Sequence, residues 1–260
     1  MDISIIIPVF NSKIILPELI ENIIFYIQKD FSDAKYEIIL VNDCSDDDSW
    51  ESITYLCKKF KTIKGISLSK NYGQHNAIMA GLNFSKGSKI ITIDDDFQHP
   101  PSALNLFLQQ LDEFDACYTY YLNRKHNLWK KIASNLNNLI SSFLLNKPLK
   151  IYMSSYRGFT KDVANEVIKY KKNNVYLDCL ILKNAKKIKM INVEHGNRHS
   201  GNSNYNLKKL LILWANMVLS SEIMPLRFNS FFVLFFKFFI KITIIGVNNK
   251  EQYSITKKTF

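Results

Sequence analysis

The 260-residue chain is long enough for one large α/β domain, or for a domain with an appendage, and its core needs no disulfide or metal to hold it together. Hydrophobic residues make up 47% of the sequence and charged residues 22%, which excludes an intrinsically disordered protein. The net charge of +11 fits either a compositional bias without functional meaning or a partner that is a nucleic acid, an anionic membrane surface or a phosphorylated substrate, and charge alone does not choose among them.

Short apolar runs alternate with longer mixed segments in the first half of the chain. The apolar runs are rich in β-branched residues and end in polar residues, which is typical of strands buried on both faces. Strands are predicted at 3–9, 36–41, 63–68, 89–93 and 116–121. Helices are predicted from residue 16, at 50–60, at 76–84 and from residue 101. This alternation predicts a mostly parallel sheet with helices on both faces.

The second half of the chain has a less regular pattern. Helices are predicted at 128–145 and 205–221, and a helix followed by a strand within 173–193. The four cysteines are far apart and form no C-x-x-C pair, so we expect reduced thiols. Residues 1–8 lack a basic start and a small-residue cleavage site, so no signal peptide is predicted and the folded domain is expected to face the cytoplasm.

Two acidic loops, at 42–49 and 94–98, each follow a predicted strand. Because ligands of such sheets bind beyond the carboxyl ends of the strands, the two loops can share one cleft. Asp94 and Asp96 point to the same side of an extended chain, whereas Asp95 points to the other. Their carboxylates and the amide oxygen of Gln98 are hard oxygen ligands of the kind that Mg²⁺ and Mn²⁺ prefer. The run therefore predicts a divalent metal site, with a solvated acidic turn as the alternative.

Asp43 ends the second predicted strand and has two interpretations. Its carboxylate could accept hydrogen bonds from a nucleobase N–H or from ribose hydroxyls. It could equally belong to an acidic turn or helix cap before Trp50, although Ser49 or Asp48 is the better candidate for the cap. The residues alone leave both interpretations open.

Several segments, taken together and in order, resemble the family 2 glycosyltransferases of the GT-A fold, in particular the dolichyl- and undecaprenyl-phosphate sugar transferase branch. The opening strand IIIPVFN and the loop VNDCS are similar to that family's first strand and its V-D-D-G-S loop. The segments SKNYG with AIMAG, and DDDFQHPP, resemble its S-R-N-F-G…A-G and D-A-D-L-Q-H-P-P elements. The segments SSYR and HGNRHSGNSNY resemble its S-F-R and H-x-x-R-x-x-G-x-S-K-Y elements.

The resemblance implies an inverting glycosyltransferase that needs Mg²⁺ or Mn²⁺ and uses a UDP- or GDP-linked sugar. The metal would be held against the diphosphate by Asp94, Asp96 and Gln98. Phosphate oxygens would be bound by Arg198 and Ser203, in a Gly- and Asn-rich loop expected to close over the donor. The remaining donor-binding residues that it implies are Pro8, Asn11, Asp43 and Arg157. Asp96 and Arg198 would act directly in catalysis.

The chain departs from the family pattern at five positions. Asn42 replaces the first acid of the V-D-D-G-S loop, and Cys44 replaces its glycine. Lys70 replaces an arginine, and Ser102 stands where a glutamate often follows the two prolines. Asn204 replaces the lysine of the S-K-Y element and so removes one expected phosphate-binding cation. This last change bears on the acceptor, because that lysine belongs to the family's phosphate-handling loop.

The acceptor determines whether the reaction needs a general base. A lipid phosphate is already ionised, whereas a sugar hydroxyl must lose its proton to a carboxylate within hydrogen-bond reach. Asp178 is the best candidate for that base, followed by Glu194, and a solvated carboxylate on a helix surface is the alternative for both. The sequence leaves a polyprenyl phosphate and a lipid-linked saccharide as possible acceptors.

The apolar run at 228–247 is about long enough to span a bilayer. However, Lys237 and Lys241 lie on one helical face, and a lysine near the bilayer centre costs roughly 2.5–3.5 kcal/mol. An amphipathic helix lying in the membrane interface fits better, with a helix buried against the domain as the alternative. We therefore divide the chain into a GT-A domain at 1–222 and an apolar C-terminal segment at 223–260.

The full expectation is a GT-A α/β enzyme on the inner face of the cytoplasmic membrane, active in surface polysaccharide or glycolipid synthesis. Its expected partners are the nucleotide-sugar donor, a lipid-linked acceptor and the membrane surface, and a homo-oligomer is left open. No nucleic acid partner is expected, because acidic loops occupy the cleft and no recognised binding module is present. The alternative, which the loop substitutions suggest, is a non-catalytic nucleotide-binding or scaffolding protein of the same fold.

Overall fold

The computed structural model describes residues 1–121, 138–139, 141–143, 145, 147–193 and 251–260. These residues form an eight-stranded mixed sheet with the order β7-β5-β6-β4-β1-β2-β3-β8. The strands are β1 (Ile3–Val9), β2 (Tyr36–Asn42), β3 (Ile63–Leu68), β4 (Lys89–Thr92), β5 (Ala116–Tyr121), β6 (Arg157–Thr160), β7 (Ile188–Val193) and β8 (Ile255–Lys258). Only β6 and β8 run against the common direction, since each pairs antiparallel with its neighbours.

Helices cover both faces of this sheet. They are α1 (Leu16–Asp30), α2 (Ser49–Lys59), α3 (Gln74–Leu82), α4 (Leu104–Gln110), α5 (Lys161–Val167) and α6 (Leu177–Asn184). Helices α1, α2 and α4 pack in one apolar core with Ile5 and Ile7, whereas α3, α5 and α6 pack in a second core with Ile6. The alternation follows from the pleat of β1, where successive side chains point to opposite faces. Both faces are buried, as the continuous isoleucine run predicted.

The predicted α/β fold with a mostly parallel sheet is confirmed. The first five predicted strands agree with the structure to within one residue, and α3 begins two residues earlier than predicted, at Gln74. The strand β6 was not predicted, and it lies between β4 and β5 in the sheet. The predicted helices at 205–221 and 228–247, and most of that at 128–145, lie outside the described residues. Within the described part of the chain, no helix is long and apolar enough to cross a bilayer.

The strand β8 brings the end of the chain back to the sheet. It pairs antiparallel with β3 and covers that strand's outer edge. Beside it, the Gly65 N–H donates to Thr259 Oγ1 (2.8 Å), and the rings of Phe84 and Phe260 pack edge to face with centroids 5.5 Å apart. Residues 255–258, which the sequence grouped with the C-terminal apolar segment, are thus part of the domain's sheet. The boundary at residue 222 itself stays a prediction.

Candidate active site

A cavity of about 400 Å³ lies at the carboxyl ends of the central strands β1, β2 and β4. Both acidic loops reach it, as the sequence predicted, because Asp43 follows β2 and Asp94 follows β4. The residues that line it are Pro8, Val9, Phe10, Asp43, Asn71, Gly73, Gln74, Asp94, Asp95 and Asp96. Asn71 and Gln74 were not singled out from the sequence. They could have been identified from their position after β3, because the carboxyl end of that strand lies at the same edge of the sheet.

The loops around the cavity have unusual backbone conformations. Among the described residues, Asn11, Cys44 and Phe97 are the non-glycine residues with positive φ, at 57°, 58° and 60°. Each lies in a loop that leaves β1, β2 or β4 at the cavity. Left-handed backbone is costly for most side chains and persists where the surrounding structure enforces it, often at functional sites. The family's glycine in place of Cys44 agrees with this conformation.

Asp43 is buried and holds the loop that follows β3. Its two carboxylate oxygens accept the backbone N–H groups of Tyr72 (2.7 Å) and Gly73 (2.8 Å). Burial raises the pKa of the Asp43 carboxyl above its ordinary value, and the two amide hydrogen bonds oppose that shift. Gly73 has a φ of 85°, which suits a residue without a side chain. The carboxylate lines the cavity and at the same time fixes one of its walls.

Asp94 is held by donors on both sides. Gln74 Nε2 donates to its Oδ1, and Ser155 Oγ donates to its Oδ2 at 2.6 Å. The backbone N–H of Asp94 donates to His99 Nδ1 (3.0 Å), so the ring of this histidine is neutral with its proton on Nε2. His99 is stacked on Tyr156 with ring centroids 5.0 Å apart. Asp94 is therefore fixed at both its main chain and its carboxylate.

Asp95 lines the cavity beside Asp94 and Asp96, and its carboxylate contacts the loop that follows β1. Its Oδ2 accepts the Phe10 N–H (3.0 Å) and the Ser12 hydroxyl (2.5 Å), which ties the β4 loop to the β1 loop. Burial raises the pKa of Asp95 to about 6, although both hydrogen bonds act in the opposite direction. Asp95 thus has a clear role in holding the loops together.

Asp96 lines the cavity, whereas Gln98 is not among the lining residues. The Gln98 backbone N–H donates to Asp96 Oδ1 at 3.1 Å, which forms a tight turn. Among the described residues no group of three His, Cys, Asp or Glu side chains is arranged to hold a metal. A magnesium-type site does not require one, because such ions take one or two carboxylates and complete their shell with phosphates and water. The carboxylates of Asp94 and Asp96 fit this type of site.

Asn11 and Asn42 join neighbouring loops by their side chains. Asn11 Oδ1 accepts the Asp46 N–H (2.9 Å), and the Asn11 side chain is not part of the cavity wall. Asn42 Oδ1 accepts the Ser45 N–H and its Nδ2 donates to Ser67 Oγ, both at 3.1 Å. The amide at position 42 thus bridges β2 to β3 while it caps the loop. This contact explains how asparagine serves where the family pattern has an acid.

Arg157 and Asp178 form an ion pair behind the cavity. Both side chains are buried, Nη1 of Arg157 donates to Oδ1 of Asp178, and neither residue lines the cavity. Arg157 begins β6, and Asp178 lies in the first turn of α6, so the pair joins the sheet to that helix. A general base must reach the acceptor, and a buried carboxylate engaged by a guanidinium is poorly placed for that role.

His75 lies beside this ion pair, at the beginning of α3. Its ring packs edge-on against Tyr176, with centroids 5.0 Å apart. Burial, together with the positive charge of Arg157, lowers the pKa of His75 to about 4. Within the described part of the chain, His75 Nδ1 and the Arg157 atoms Nε and Nη2 are buried without a hydrogen-bond partner. Arg198, Ser203 and Glu194 lie outside the described residues.

Comparison with known proteins places the chain in a family. Residues 4–168 match the sequence profile of Glycosyl transferase family 2. The chain belongs to that family. It is also 33% identical over 230 residues to the undecaprenyl-phosphate 4-deoxy-4-formamido-L-arabinose transferases of Yersinia pestis (strain Pestoides F) and Yersinia pseudotuberculosis (serotype O:3). The alignments cover 88% of this chain and 70% of each relative. The resemblance to the polyprenyl-phosphate branch of the family 2 glycosyltransferases is thus confirmed.

Solved structures support the GT-A fold of this family 2 glycosyltransferase. Glucosyl-3-phosphoglycerate synthase from Mycobacterium tuberculosis, in complex with Mn²⁺, UDP and phosphoglyceric acid, matches with a TM-score of 0.61 and 14% identity, over 86% of this chain and 79% of that protein. S. aureus TarS 1–349 in complex with UDP matches with a TM-score of 0.54 and 18% identity, over 86% of this chain and 67% of that one. At these identities the likeness shows the fold alone.

Proposed function

We propose that this glycosyltransferase moves a sugar from a nucleotide-sugar donor to a polyprenyl phosphate, with a divalent metal at Asp94 and Asp96 holding the donor's diphosphate. The relatives at 33% identity are named for undecaprenyl phosphate, which supports this acceptor class. The observation that carries the choice of acceptor is the position of Asp178. Because its carboxylate is paired with Arg157 behind the cavity, the proposal uses an acceptor that needs no general base.

The cavity suits the donor. Its volume of about 400 Å³ lies within the usual range of roughly 300–1,000 Å³ for small-ligand pockets. Pro8 and Asp43 are lining residues beside which the base and ribose are proposed to bind, with Asn11 holding the adjoining loops. Asp94 and Asp96 also line the cavity, and Mg²⁺ or Mn²⁺, when bound to them, would supply positive charge to the diphosphate. Gln98 is proposed to complete the metal site or to shape the turn that carries Asp96.

The hydrogen bonds made by three carboxylates of the cavity also support an acceptor that needs no general base. Asp43 and Asp95 are engaged by backbone and hydroxyl donors of the surrounding loops, and Asp94 by Gln74 and Ser155. These carboxylates are fixed in place, and Asp94 has a proposed role at the metal. A phosphate oxygen, in contrast, is already negatively charged and can attack directly.

The proposed reaction is a single displacement with inversion. An oxygen of the lipid phosphate forms a bond to the anomeric carbon, and the bond between that carbon and the nucleotide diphosphate breaks. The electron pair leaves on the diphosphate oxygen. Arg198 and Ser203, which lie outside the described residues, are proposed to bind the phosphates of the donor. The enzyme is proposed to work peripherally on the inner face of the cytoplasmic membrane, where the segment 228–247 would contact lipid.

A screen of donors and acceptors tests this function. UDP- and GDP-sugars are incubated with undecaprenyl phosphate or with a lipid-linked saccharide, with and without Mn²⁺, and the products are identified by mass. We expect a Mn²⁺-dependent sugar-phospholipid product. Asp96→Ala should lower its rate by about 100-fold or more, because it removes a ligand of the metal that stabilises the leaving group.

The matched control is Asp33→Ala, which removes an exposed carboxylate and should leave the rate unchanged. Transfer to the saccharide hydroxyl alone would contradict the proposed acceptor. Transfer that survives both EDTA and Asp96→Ala would contradict the proposed metal site.

A further inference from the structure

The carboxylate of Asp94 is clamped by side chains from two other parts of the fold. Gln74, the first residue of α3, donates its amide N–H to Oδ1. Ser155, two residues before β6, donates its hydroxyl to Oδ2 at 2.6 Å. Ser155 is itself fixed, because its backbone carbonyl accepts the hydroxyl of Thr92 at 2.7 Å. One donor therefore engages each oxygen of this carboxylate.

Gln74 also links the two acidic loops. It follows Gly73, whose backbone N–H is bound by Asp43 Oδ2 at 2.8 Å. The chain Asp43–Gly73–Gln74–Asp94 therefore joins the loop after β2 to the loop after β4 through the beginning of α3.

We propose that Gln74 and Ser155 are positioning residues that orient Asp94 for metal binding, an inference that rests on the proposed function. An ionised carboxylate offers about four acceptor positions, of which these two donors take one on each oxygen. The carboxylate can then neither rotate nor turn away, and its remaining lone pairs face a fixed direction. Because both donors are uncharged, the negative charge of Asp94 stays available for a cation. Loss of such outer partners commonly weakens metal affinity by about 10–100-fold.

Mn²⁺ binding tests the clamp without a need for turnover. The dissociation constant of Mn²⁺ is measured on the full chain from the electron paramagnetic resonance signal of free Mn²⁺, in the presence of UDP or of GDP. Gln74→Met removes the donor at nearly constant volume, and Ser155→Ala removes the hydroxyl. We expect each to raise the Mn²⁺ dissociation constant by about 10-fold or more. Ser155→Thr, which keeps a hydroxyl, should restore affinity to within about 3-fold of wild type.

Matched controls separate positioning from general damage. Gln109→Met and Ser102→Ala make the same chemical changes at exposed positions and should bind Mn²⁺ as wild type does. The melting temperature of each variant is measured alongside, and Ser155→Ala decides the question if Gln74→Met does not fold. Nucleotide binding in EDTA should be little changed by Ser155→Ala, since that serine does not itself line the cavity.

The outcomes distinguish this inference from the proposed function. If wild type binds Mn²⁺, Asp96→Ala does not, and Ser155→Ala and any folded Gln74→Met bind as tightly as wild type, the metal site stands and the clamp is overturned. If wild type binds no Mn²⁺ with either nucleotide, the proposed metal site and the clamp are both overturned. Affinity that falls in Ser155→Ala and returns in Ser155→Thr supports the clamp.

Discussion

The carboxylates at the cavity and the carboxylate behind it are stabilised in different ways. Asp43, Asp94 and Asp95 accept hydrogen bonds from uncharged groups, namely backbone amides, hydroxyls and a carboxamide. Asp178, which does not line the cavity, is paired with the guanidinium of Arg157. Uncharged donors orient a carboxylate and leave its charge available to a cation, whereas an arginine neutralises it. The difference separates acids suited to ligand binding from an acid that joins a helix to the sheet.

The largest effect on stability is expected when the ion pair between Arg157 and Asp178 is broken. Asp178→Ala should lower the free energy of unfolding by about 3–5 kcal/mol, because it leaves the buried charge of Arg157 without its partner. Urea unfolding followed by circular dichroism measures the change. Asp96→Ala at the cavity should change stability by less than about 1 kcal/mol, since it removes one of three adjacent acids that repel one another.

A double variant sharpens this test. Asp178→Leu combined with Arg157→Met replaces both charges by apolar groups and should recover most of the lost stability. If Asp178→Ala and Asp96→Ala lower the free energy of unfolding by the same amount, the proposed difference between Asp178 and the carboxylates at the cavity is wrong.

A smaller effect should appear in the pH dependence of stability, because His75 lies beside the ion pair of Arg157 and Asp178. Its pKa is lowered to about 4 in the folded protein, against about 6.5 in the unfolded chain. The unfolded state therefore binds the proton first as pH falls from 6.5 to 4, and folding stability declines over that window by up to about 3 kcal/mol. Urea unfolding at pH 7 and pH 4.5, compared between wild type and His75→Gln, isolates this contribution. Parallel pH dependence in both proteins would show that His75 titrates normally.

The smallest expected effect concerns the strained loop beside Asp43. Cys44 has a φ of 58°, and a side chain in this left-handed conformation costs about 1–2 kcal/mol. Cys44→Gly removes that cost, offset by about 0.4–1 kcal/mol from the greater freedom of glycine in the unfolded chain. We expect a net gain of about 0.5–1 kcal/mol in the free energy of unfolding. Cys179 lies within helix α6, where glycine is unfavourable, so Cys179→Gly should instead lower the free energy of unfolding.

The first half of the fold and the main features of the cavity could be predicted, but β6 and β8 could not. The strands β1 to β4 are buried on both faces and so carry a continuous apolar signature, and their order places the acidic loops at one edge. The strands β6 and β8 are four residues long, and β8 pairs with a strand nearly two hundred residues earlier. Such short segments carry too little pattern to identify a distant partner.

The sequence by itself determined the parallel α/β sheet, the family and the meeting of Asp43 with Asp94 at one edge. These follow from local apolar periodicity and from motif order, which are properties of the chain. Only the tertiary structure decided which polar groups act together: Gln74 and Ser155 on Asp94, Asn42 on Ser67, and Arg157 on Asp178. These contacts depend on the positions of three-dimensional neighbours, with separations of 20 to 61 residues along the chain. The burial of Asp178 and its pairing with Arg157 are likewise properties of the assembled layers, and its candidate role as a base stays a prediction.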